Sequence, residues 1–303
     1  MRNSDAFQPD GLWLVTGAAI LWGTIGAATQ AIYNVDSTTS LFINLARMLV
    51  ATPVLMLACW SLLGRKMFAI QRRDLLIMLL SGALLAISHA AYFAAIRMSG
   101  VTIATLLTIC MAPIVVASAS VLLKFDTLTW RTVLALGCAL AGSFLLVGSP
   151  SSESSLHNLT LGPLCALIAA ATYGGVIVCG RFLAADYHPL QVTTVAFSSG
   201  TILLVFINLI SGMVMIQTVQ GWLLILYLGL VPTAFAYWLL QMGLRSTSAT
   251  AASIIGMLDP LVAALLAWAL FGERLVLAGM AGAGLLLLSL LLLAVKKSQR
   301  RIN

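Results

Sequence analysis

The chain has 303 residues, of which 61% are hydrophobic and only 8% are charged. A soluble domain carries about 25% charged residues, so this composition excludes a water-soluble globular protein. A net charge of +7 would indicate an anionic partner in a soluble protein. In a membrane protein it is expected to set orientation instead, and we predict no nucleic-acid partner.

Ten apolar segments, each long enough to cross a bilayer as a helix of about 20 residues, follow one another along the chain. They cover residues 11–33, 38–63, 74–96, 101–123, 129–147, 161–184, 189–213, 221–244, 249–271 and 276–295. The longest polar interruption, SPSSESSLHNLT, follows the fifth segment. We therefore predict an all-α polytopic membrane protein with ten transmembrane helices.

The two halves of the chain are copies of one unit. The related pairs are Pro113 and Pro260, Asp126 and Glu273, and Gly82 and Gly229, each 147 residues apart (for example 260 − 113), and Trp22 and Tyr173, 151 apart (173 − 22). This internal repeat predicts a first five-helix repeat over residues 1–148 and a linker over 149–161. The second repeat, with a basic tail, covers residues 162–303.

The basic residues are distributed unevenly between the two sides of the membrane. The side that holds both termini carries thirteen of the sixteen: Arg2, Arg65, Lys66, Arg72, Arg73, Lys124, Arg131, Arg181, Arg245, Lys296, Lys297, Arg300 and Arg301. Only Arg97 and Arg274 fall on the other side, and Arg47 lies within the second segment. The positive-inside rule therefore predicts a cytoplasmic (inner) membrane protein with both termini cytoplasmic and the linker periplasmic.

Each repeat contains five helices, an odd number, so the second copy should enter the membrane inverted relative to the first. Inverted repeats are a recurrent plan of secondary transporters, which bind substrate near mid-membrane at the repeat interface. If one half favours an outward-open packing, its inverted twin favours the opposite arrangement. The two states then lie close in energy, which is what alternating access requires.

The repeated motif resembles a known family. The paired Pro113 and Pro260 segments and the stretch LDPLVAALLAWALFGERL, with Asp259-Pro260 and a Gly272-Glu273-Arg274 ending, resemble the EamA-type branch of the drug/metabolite transporter superfamily. Asp259 stands where the family pattern has glutamate, and the first repeat has Ala112-Pro113 there. The resemblance implies two five-helix repeats and transport of amino acids, related metabolites or drugs, while some relatives carry nucleotide sugars.

Seven residues are candidates for binding substrate in a central chamber. They are Trp22, Arg47, His89, Tyr92, Tyr173, Tyr237 and Gln241. Trp22 and Tyr173 lie at mid-depth, where interfacial aromatic residues are not expected, although lipid-facing bulk is the alternative. His89 could relay protons, bind substrate or simply pack. Arg47 could meet Asp259 or a substrate carboxylate, or extend to the membrane surface.

Three residues are candidates for coupling and gating: Pro113, Asp259 and Pro260. A proline inside a helix frees a carbonyl and kinks the backbone, so each could be a hinge or could only shape its helix. A carboxylate at the bilayer centre costs about 2.5–3.5 kcal/mol to insert, so Asp259 should face a cavity or a partner. It could carry a coupling proton, or bond to carbonyls freed by Pro260.

These observations predict a secondary transporter for a small amphipathic or aromatic solute, acting as an exporter, with protons as the candidate coupling ion. An uptake carrier, a membrane enzyme and a non-transporting sensor or scaffold are the alternatives. No nucleotide loop, metal motif or catalytic cluster is recognisable, so we expect no catalytic residues, cofactor or metal. The expected partners are a small-molecule substrate and membrane lipid, and the sequence leaves monomer and homodimer open.

Overall fold

The computed structural model describes residues 11–99, 101–124, 129–147, 161–271 and 277–300, and the regular structure within them is helical. The helices are α1 (Gly11–Val35), α2 (Ser40–Leu63), α3 (Arg72–Ser99), α4 (Val101–Leu122), α5 (Trp130–Val147), α6 (Leu161–Leu183), α7 (Pro189–Ser211), α8 (Val219–Leu228), α9 (Ala236–Leu244), α10 (Ala249–Gly256), α11 (Asp259–Phe271) and α12 (Leu277–Arg300). A 3-10 helix, Gly64–Phe68, follows α2, and a π-helix, Gly229–Phe235, joins α8 to α9.

The predicted all-α membrane fold is confirmed. Within the described residues, nine helical segments are long and apolar enough to cross a membrane. One of them, Val219–Leu244, combines α8, the π-helix and α9. The fifth predicted segment is shorter: its apolar helix covers Trp130–Leu146. The 18 residues of α5 span about 27 Å, close to the hydrocarbon thickness of about 30 Å. Residues 149–160 of the predicted linker and the Gly272-Glu273-Arg274 ending lie outside the described residues.

Helix packing repeats between the two halves of the chain. Helix α1 packs against α8, α9, α10 and α11, and we call these five helices the first bundle. Helix α6 packs against α3 and α4, and we call these three helices the second bundle. Exchanging the two repeats turns one set of contacts into the other. Helix α2 packs against α7, and α5 packs against α12, so each of these pairs maps onto itself.

Individual residue contacts follow the same exchange. Gly23 of α1 abuts Val262 of α11, and Gly174 of α6 abuts Val115 of α4, where the two valines are 147 residues apart (262 − 115). Similarly, Gly82 of α3 lies against α7, and Gly229 lies against α2. The hydroxyls of Thr52 and Thr201 meet at 2.8 Å between the self-paired helices α2 and α7. The related contacts therefore define a pseudo-two-fold arrangement of the repeats.

The helix ends separate into two faces. At the face where α1 begins, which we call the terminal face, Gly11 abuts Ser246 and the Tyr187 hydroxyl donates to Asp74 at 2.6 Å. At the opposite face, Gly162 abuts Ser99. The described helix ends therefore separate between the two faces in the manner that alternating membrane crossings require.

Two related side chains fasten helix starts at opposite faces. Asp36, after α1, accepts hydrogen bonds from the backbone N–H groups of Gln217 and Thr218, both at 2.8 Å, beside the start of α8. Its counterpart 151 residues later (187 − 36) is Tyr187, which accepts from the Gln71 N–H at 3.2 Å beside the start of α3. The N–H of Thr218 is the main cause that lowers the pKa of the Asp36 carboxyl, while burial opposes it.

Candidate functional site

Side chains from seven helices meet between the two bundles. We call this group the central cluster: Trp22 (α1), Arg47 (α2), His89 (α3), Tyr173 (α6), Phe197 (α7), Tyr237 (α9) and Asp259 (α11). Six of the seven were predicted site residues. Because α1 and α6 are related by the internal repeat, Trp22 and Tyr173 approach the cluster as counterparts from the two bundles.

Aromatic rings form the apolar part of the cluster. The Trp22 ring lies 5.2 Å from the Tyr237 ring and 6.5 Å from the Tyr173 ring, both edge-on. Tyr237 also meets Phe197 edge-on at 4.9 Å. Trp22 is only 7% exposed, so the alternative that it faces lipid is wrong. Its indole Nε1 is buried and has no hydrogen-bond partner among the described residues.

Arg47, with the His89 ring beside it, forms the cationic side of the cluster. Nη2 of Arg47 lies 3.4 Å from both Nδ1 and Nε2 of the His89 ring, a long contact for a hydrogen bond. Arg47 is 6% exposed, so the alternative that it extends to the membrane surface is wrong. Its Nε is buried without a partner in the described part of the chain.

Asp259 is the acidic member of the cluster and begins α11. Helix α10 ends at Gly256, so the ninth predicted segment is broken two residues before Asp259. The carboxyl interacts electrostatically with Arg47, Tyr237 and Tyr173. Within the described ranges, it makes no hydrogen bond and no ion pair shorter than 4.0 Å.

Four prolines lie in the middle of membrane segments and act differently on their helices. Pro53 lies inside α2, which continues without interruption. Pro113 lies inside α4, which continues without interruption, whereas Pro260 directly follows the break between α10 and α11. Pro232 lies inside the π-helix, where the Thr233 hydroxyl donates to the Leu228 carbonyl at 2.6 Å. Two of the four sites thus depart from regular α-helix, and both belong to the second repeat.

Two predicted site residues lie at the margin of the cluster. The Tyr92 hydroxyl pairs with the Thr105 hydroxyl at 2.7 Å, and its ring packs beside Ala95, Ala104 and Ala166. It still interacts electrostatically with Asp259. Gln241 is buried one turn beyond Tyr237 and lies directly against Gly180 of α6, where a Cβ would approach its Nε2 to 2.7 Å.

The bundles touch on the terminal half of the molecule. Helix α10 of the first bundle packs against α4 and α6 of the second, whereas α11 packs chiefly against α1. Near the terminal face, Nη1 of Arg181 donates to the Leu244 carbonyl at 3.0 Å. This bond joins the end of α6 to the end of α9. Together with the Gln241–Gly180 contact, it closes the terminal side of the cluster.

Three features of the site were not predicted from the sequence. Phe197 carries no pattern that separates it from other apolar residues of α7. Pro232 was detectable as a proline in the middle of an apolar segment, the same signal that identified Pro113 and Pro260. The sequence indicated Arg181 only as a charge that sets orientation, although it is the basic residue in the last turn of α6.

Within the described residues, no group of three or more His, Cys, Asp or Glu side chains could hold a metal ion. The five cysteines, all described, are free thiols. The polar chemistry of the site consists of one guanidinium, one imidazole, one carboxyl and the tyrosine hydroxyls.

Comparison with known proteins gives a consistent result. The model of the EamA-like transporter family matches the chain twice, over residues 10–148 and 160–295. The chain is 29% identical to "Uncharacterized transporter YwfM" of Bacillus subtilis over 94% of its length and 93% of the relative's. It is 27% identical to "Uncharacterized inner membrane transporter YicL" of Salmonella typhimurium, over 96% and 97% of the two lengths.

Two further comparisons agree. An archaeal relative from Archaeoglobus fulgidus, "Uncharacterized transporter", is 30% identical over 67% of this chain and 70% of its own. A solved crystal structure superposes with a TM-score of 0.80, covering 97% of this chain and 98% of its own at 16% identity. At that identity the superposition shows a shared fold.

Proposed function

Because this chain belongs to the EamA-like transporter family, we propose that it moves a small amphipathic or aromatic solute across the cytoplasmic membrane by alternating access. Membership makes it a multi-pass membrane transporter with a small-molecule substrate. The solute class, the direction and the coupling ion are the content of the proposal.

The observation that carries the proposal is the pseudo-two-fold packing of the two repeats around the central cluster. Gly23 on Val262 and Gly174 on Val115 are one pair of related contacts, and α1 on α9 and α6 on α3 are another. With five segments in each repeat, the second copy is inverted in the membrane. A substrate site on the symmetry axis can then be opened to either side by one motion of the two bundles.

The closed terminal side supports one end state of this cycle. Arg181 bonds to the Leu244 carbonyl across the bundles at 3.0 Å. The related positions in the other halves are Gln30 (181 − 151) and Arg97 (244 − 147). In the opposite end state, the Gln30 amide takes the role of Arg181 and donates to the Arg97 carbonyl. Gln30 is exposed in this state, and its side-chain amide donates to Asn34 at 3.4 Å.

The chemistry of the cluster supports the solute class. Four aromatic rings and few fixed charges suit a flat or amphipathic molecule, which the rings bind edge-on or by stacking. Trp22, Tyr173 and Tyr237 provide the binding surface, with His89 and Arg47 on its polar side. Tyr92 and Gln241 border it, Gln241 on the side that closes.

Asp259 is the coupling group of the proposal. It lies at a break in the membrane helix and has no hydrogen-bond partner among the described residues. Loss of its charge by protonation lowers the cost of burying it when the site closes. Pro260 lies beside this break, whereas Pro113 lies inside the related helix α4, which is continuous. Exchange of solute for protons drives export in this scheme.

The terminal face carries the basic loop residues and is the cytoplasmic face in this proposal. Among the described residues, Arg65, Lys66, Arg72 and Arg73 lie there, between α2 and the start of α3, as the positive-inside rule requires. Two exposed positions test this in a variant without native cysteines: Arg65→Cys and Ser37→Cys. An impermeant thiol reagent added to intact cells should label position 37 and spare position 65. The reverse pattern would contradict the assignment.

The function is tested by ligand screening followed by transport. Purified protein in detergent is heated with aromatic acids, aromatic amines, amino acids and nucleosides, since only solutes that bind the folded state raise its unfolding midpoint. A stabilising solute is then assayed for counterflow in proteoliposomes. Counterflow supports the proposal. Transport of the solute in proteoliposomes with an imposed solute gradient then reveals whether the carrier exports the solute or takes it up. Binding without counterflow would indicate a sensor instead.

A further inference from the structure

Arg47 is a buried cation whose hydrogen bonds are incomplete. The residue is 6% exposed, and among the described residues its guanidinium bonds to the His89 ring alone, at 3.4 Å from Nη2. Its Nε has no partner among the described residues. No acidic side chain in the described ranges comes within 4.0 Å, and Asp259 acts on it only from a longer range.

This environment does not satisfy a guanidinium. Arg has five N–H donors in a fixed fork, and a neutral imidazole offers one acceptor. A buried arginine is best satisfied by two parallel bonds to one carboxylate. The side edge of the fork is formed by Nε and Nη2, and these are the two nitrogens that are unpartnered or loosely held in Arg47.

The surroundings of Arg47 indicate what else a ligand carries. Tyr237 interacts electrostatically with Arg47. Its ring contacts the rings of Trp22 and Phe197. The Trp22 Nε1 donor is also buried and free of partners in the described structure. A ligand that binds Arg47 and the Trp22 Nε1 therefore presents an acceptor group beside an apolar or aromatic body.

We infer that the substrate is an organic anion: an aromatic or apolar solute whose carboxylate binds the Nε/Nη2 edge of Arg47 while its body contacts Trp22 and Tyr237. Binding displaces the His89 ring from Nη2, since that edge is covered in this conformation. The inference rests on the proposed central binding site and adds the charge of the solute. Asp259 competes electrostatically with the carboxylate, so removal of its charge strengthens binding.

A matched set of three probes isolates the charge: 3-phenylpropanoate, 3-phenylpropanamide and 3-phenylpropylamine share one ring and one chain length. Binding to the full-length protein in detergent is measured by calorimetry or by the shift in unfolding midpoint. The propanoate should bind at least about tenfold more tightly than the amide, since two charge-assisted bonds are lost in the amide. Equal binding of propanoate and amide would overturn the inference.

Variants assign the preference to Arg47. Arg47→Gln should abolish the preference for propanoate over amide, Arg47→Lys should keep part of it, and Asp259→Asn should increase propanoate affinity several-fold. If Arg47→Gln does not fold, the Arg47→Lys and Asp259→Asn variants decide, because a purely structural arginine predicts no change in the probe ratio. A preference that survives in Arg47→Gln would overturn the inference.

The outcome also separates this inference from the proposed function. If the amide and the amine bind and Trp22→Ala weakens both, while the propanoate has no advantage, the central site stands and the anion inference fails. If none of the three probes binds, the anion inference fails, and the wider screen still decides whether the chain transports another solute.

Discussion

The bond between Arg181 and the Leu244 carbonyl should control how often the terminal face opens. At 3.0 Å it is a charge-assisted hydrogen bond, a class that contributes about 1.5–3 kcal/mol when buried. Arg181 is half-buried, so solvent screening reduces this to about 1 kcal/mol. That free energy corresponds to about a fivefold change in the ratio of open to closed molecules.

Thiol labelling can measure this ratio. Ser253 lies in α10, which closes the terminal side, and is 5% exposed, so Ser253→Cys in a cysteine-free background reports opening. Arg181→Ala should speed labelling from the terminal face about fivefold, whereas the exposed Arg245→Ala removes the same charge one residue beyond Leu244 and should have little effect. Gln30→Ala should slow labelling, because it weakens the closed state of the opposite face.

Two results would refute this reasoning. Arg181→Ala and Arg245→Ala with the same labelling rate would show that only net charge matters. Faster labelling of Ser253→Cys in the Gln30→Ala variant would contradict the relation between Gln30 and Arg181, on which the second end state depends.

Three further predictions concern packing, pH and coupling. Gly82→Ala should destabilise by about 1–3 kcal/mol in thermal unfolding, because its methyl would collide with the Ala196 carbonyl, whereas Gly137→Ala has nothing within 4 Å and should not. Asp36→Asn should destabilise near neutral pH. Because the pKa of the Asp36 carboxyl is lowered, its stabilising effect is full above 3.8 and is lost as the pH falls below that value. Asp259→Asn should abolish transport driven by a pH gradient in liposomes yet leave solute exchange intact, since exchange needs no proton-bearing empty carrier.

Each of these has a contrary outcome. Equal midpoints for Gly82→Ala and Gly137→Ala would mean that the α3–α7 contact is loose. An Asp36→Asn effect that persists at pH 2 would place its cause outside the carboxylate. An Asp259→Asn carrier still driven by the pH gradient would leave Asp259 a structural acid, and His89→Gln then becomes the next variant to assay.

The fold was predictable because membrane helices are long, apolar and repeated. The ten apolar segments follow from chemistry that the bilayer imposes on every helix, and the related pairs, such as Gly82 and Gly229, follow from the internal repeat. What escaped prediction is local backbone geometry. Pro113 and Pro260 occupy related positions, yet only the second coincides with a broken helix, since the break depends on how α10 and α11 pack on different neighbours.

The members of the central cluster were predictable from their depth in the membrane, whereas the contacts between them were predictable only in part. Depth placed Trp22, Tyr173 and Tyr237 together, and the rings are in contact in the structure. Depth alone could not tell that Arg47 points to His89 instead of pairing with Asp259 at close range, because that depends on helix rotation. Phe197 could not be predicted for the same reason. Which side of α7 faces the cluster depends on the neighbouring helices, and every apolar residue of α7 is equally suited to burial.

Counterflow is the direct test of the proposal that a solute binds at the central cluster and is transported. Proteoliposomes are loaded with an unlabelled solute from the stabilising set, and entry of the labelled form is followed for wild-type, Trp22→Ala and the distant, exposed Trp13→Ala control. The account predicts counterflow in wild-type and in Trp13→Ala, and a loss of about tenfold or more in the apparent affinity of Trp22→Ala, which removes two ring contacts and the buried indole. Absence of counterflow in wild-type, or equal affinity in Trp22→Ala, would contradict it.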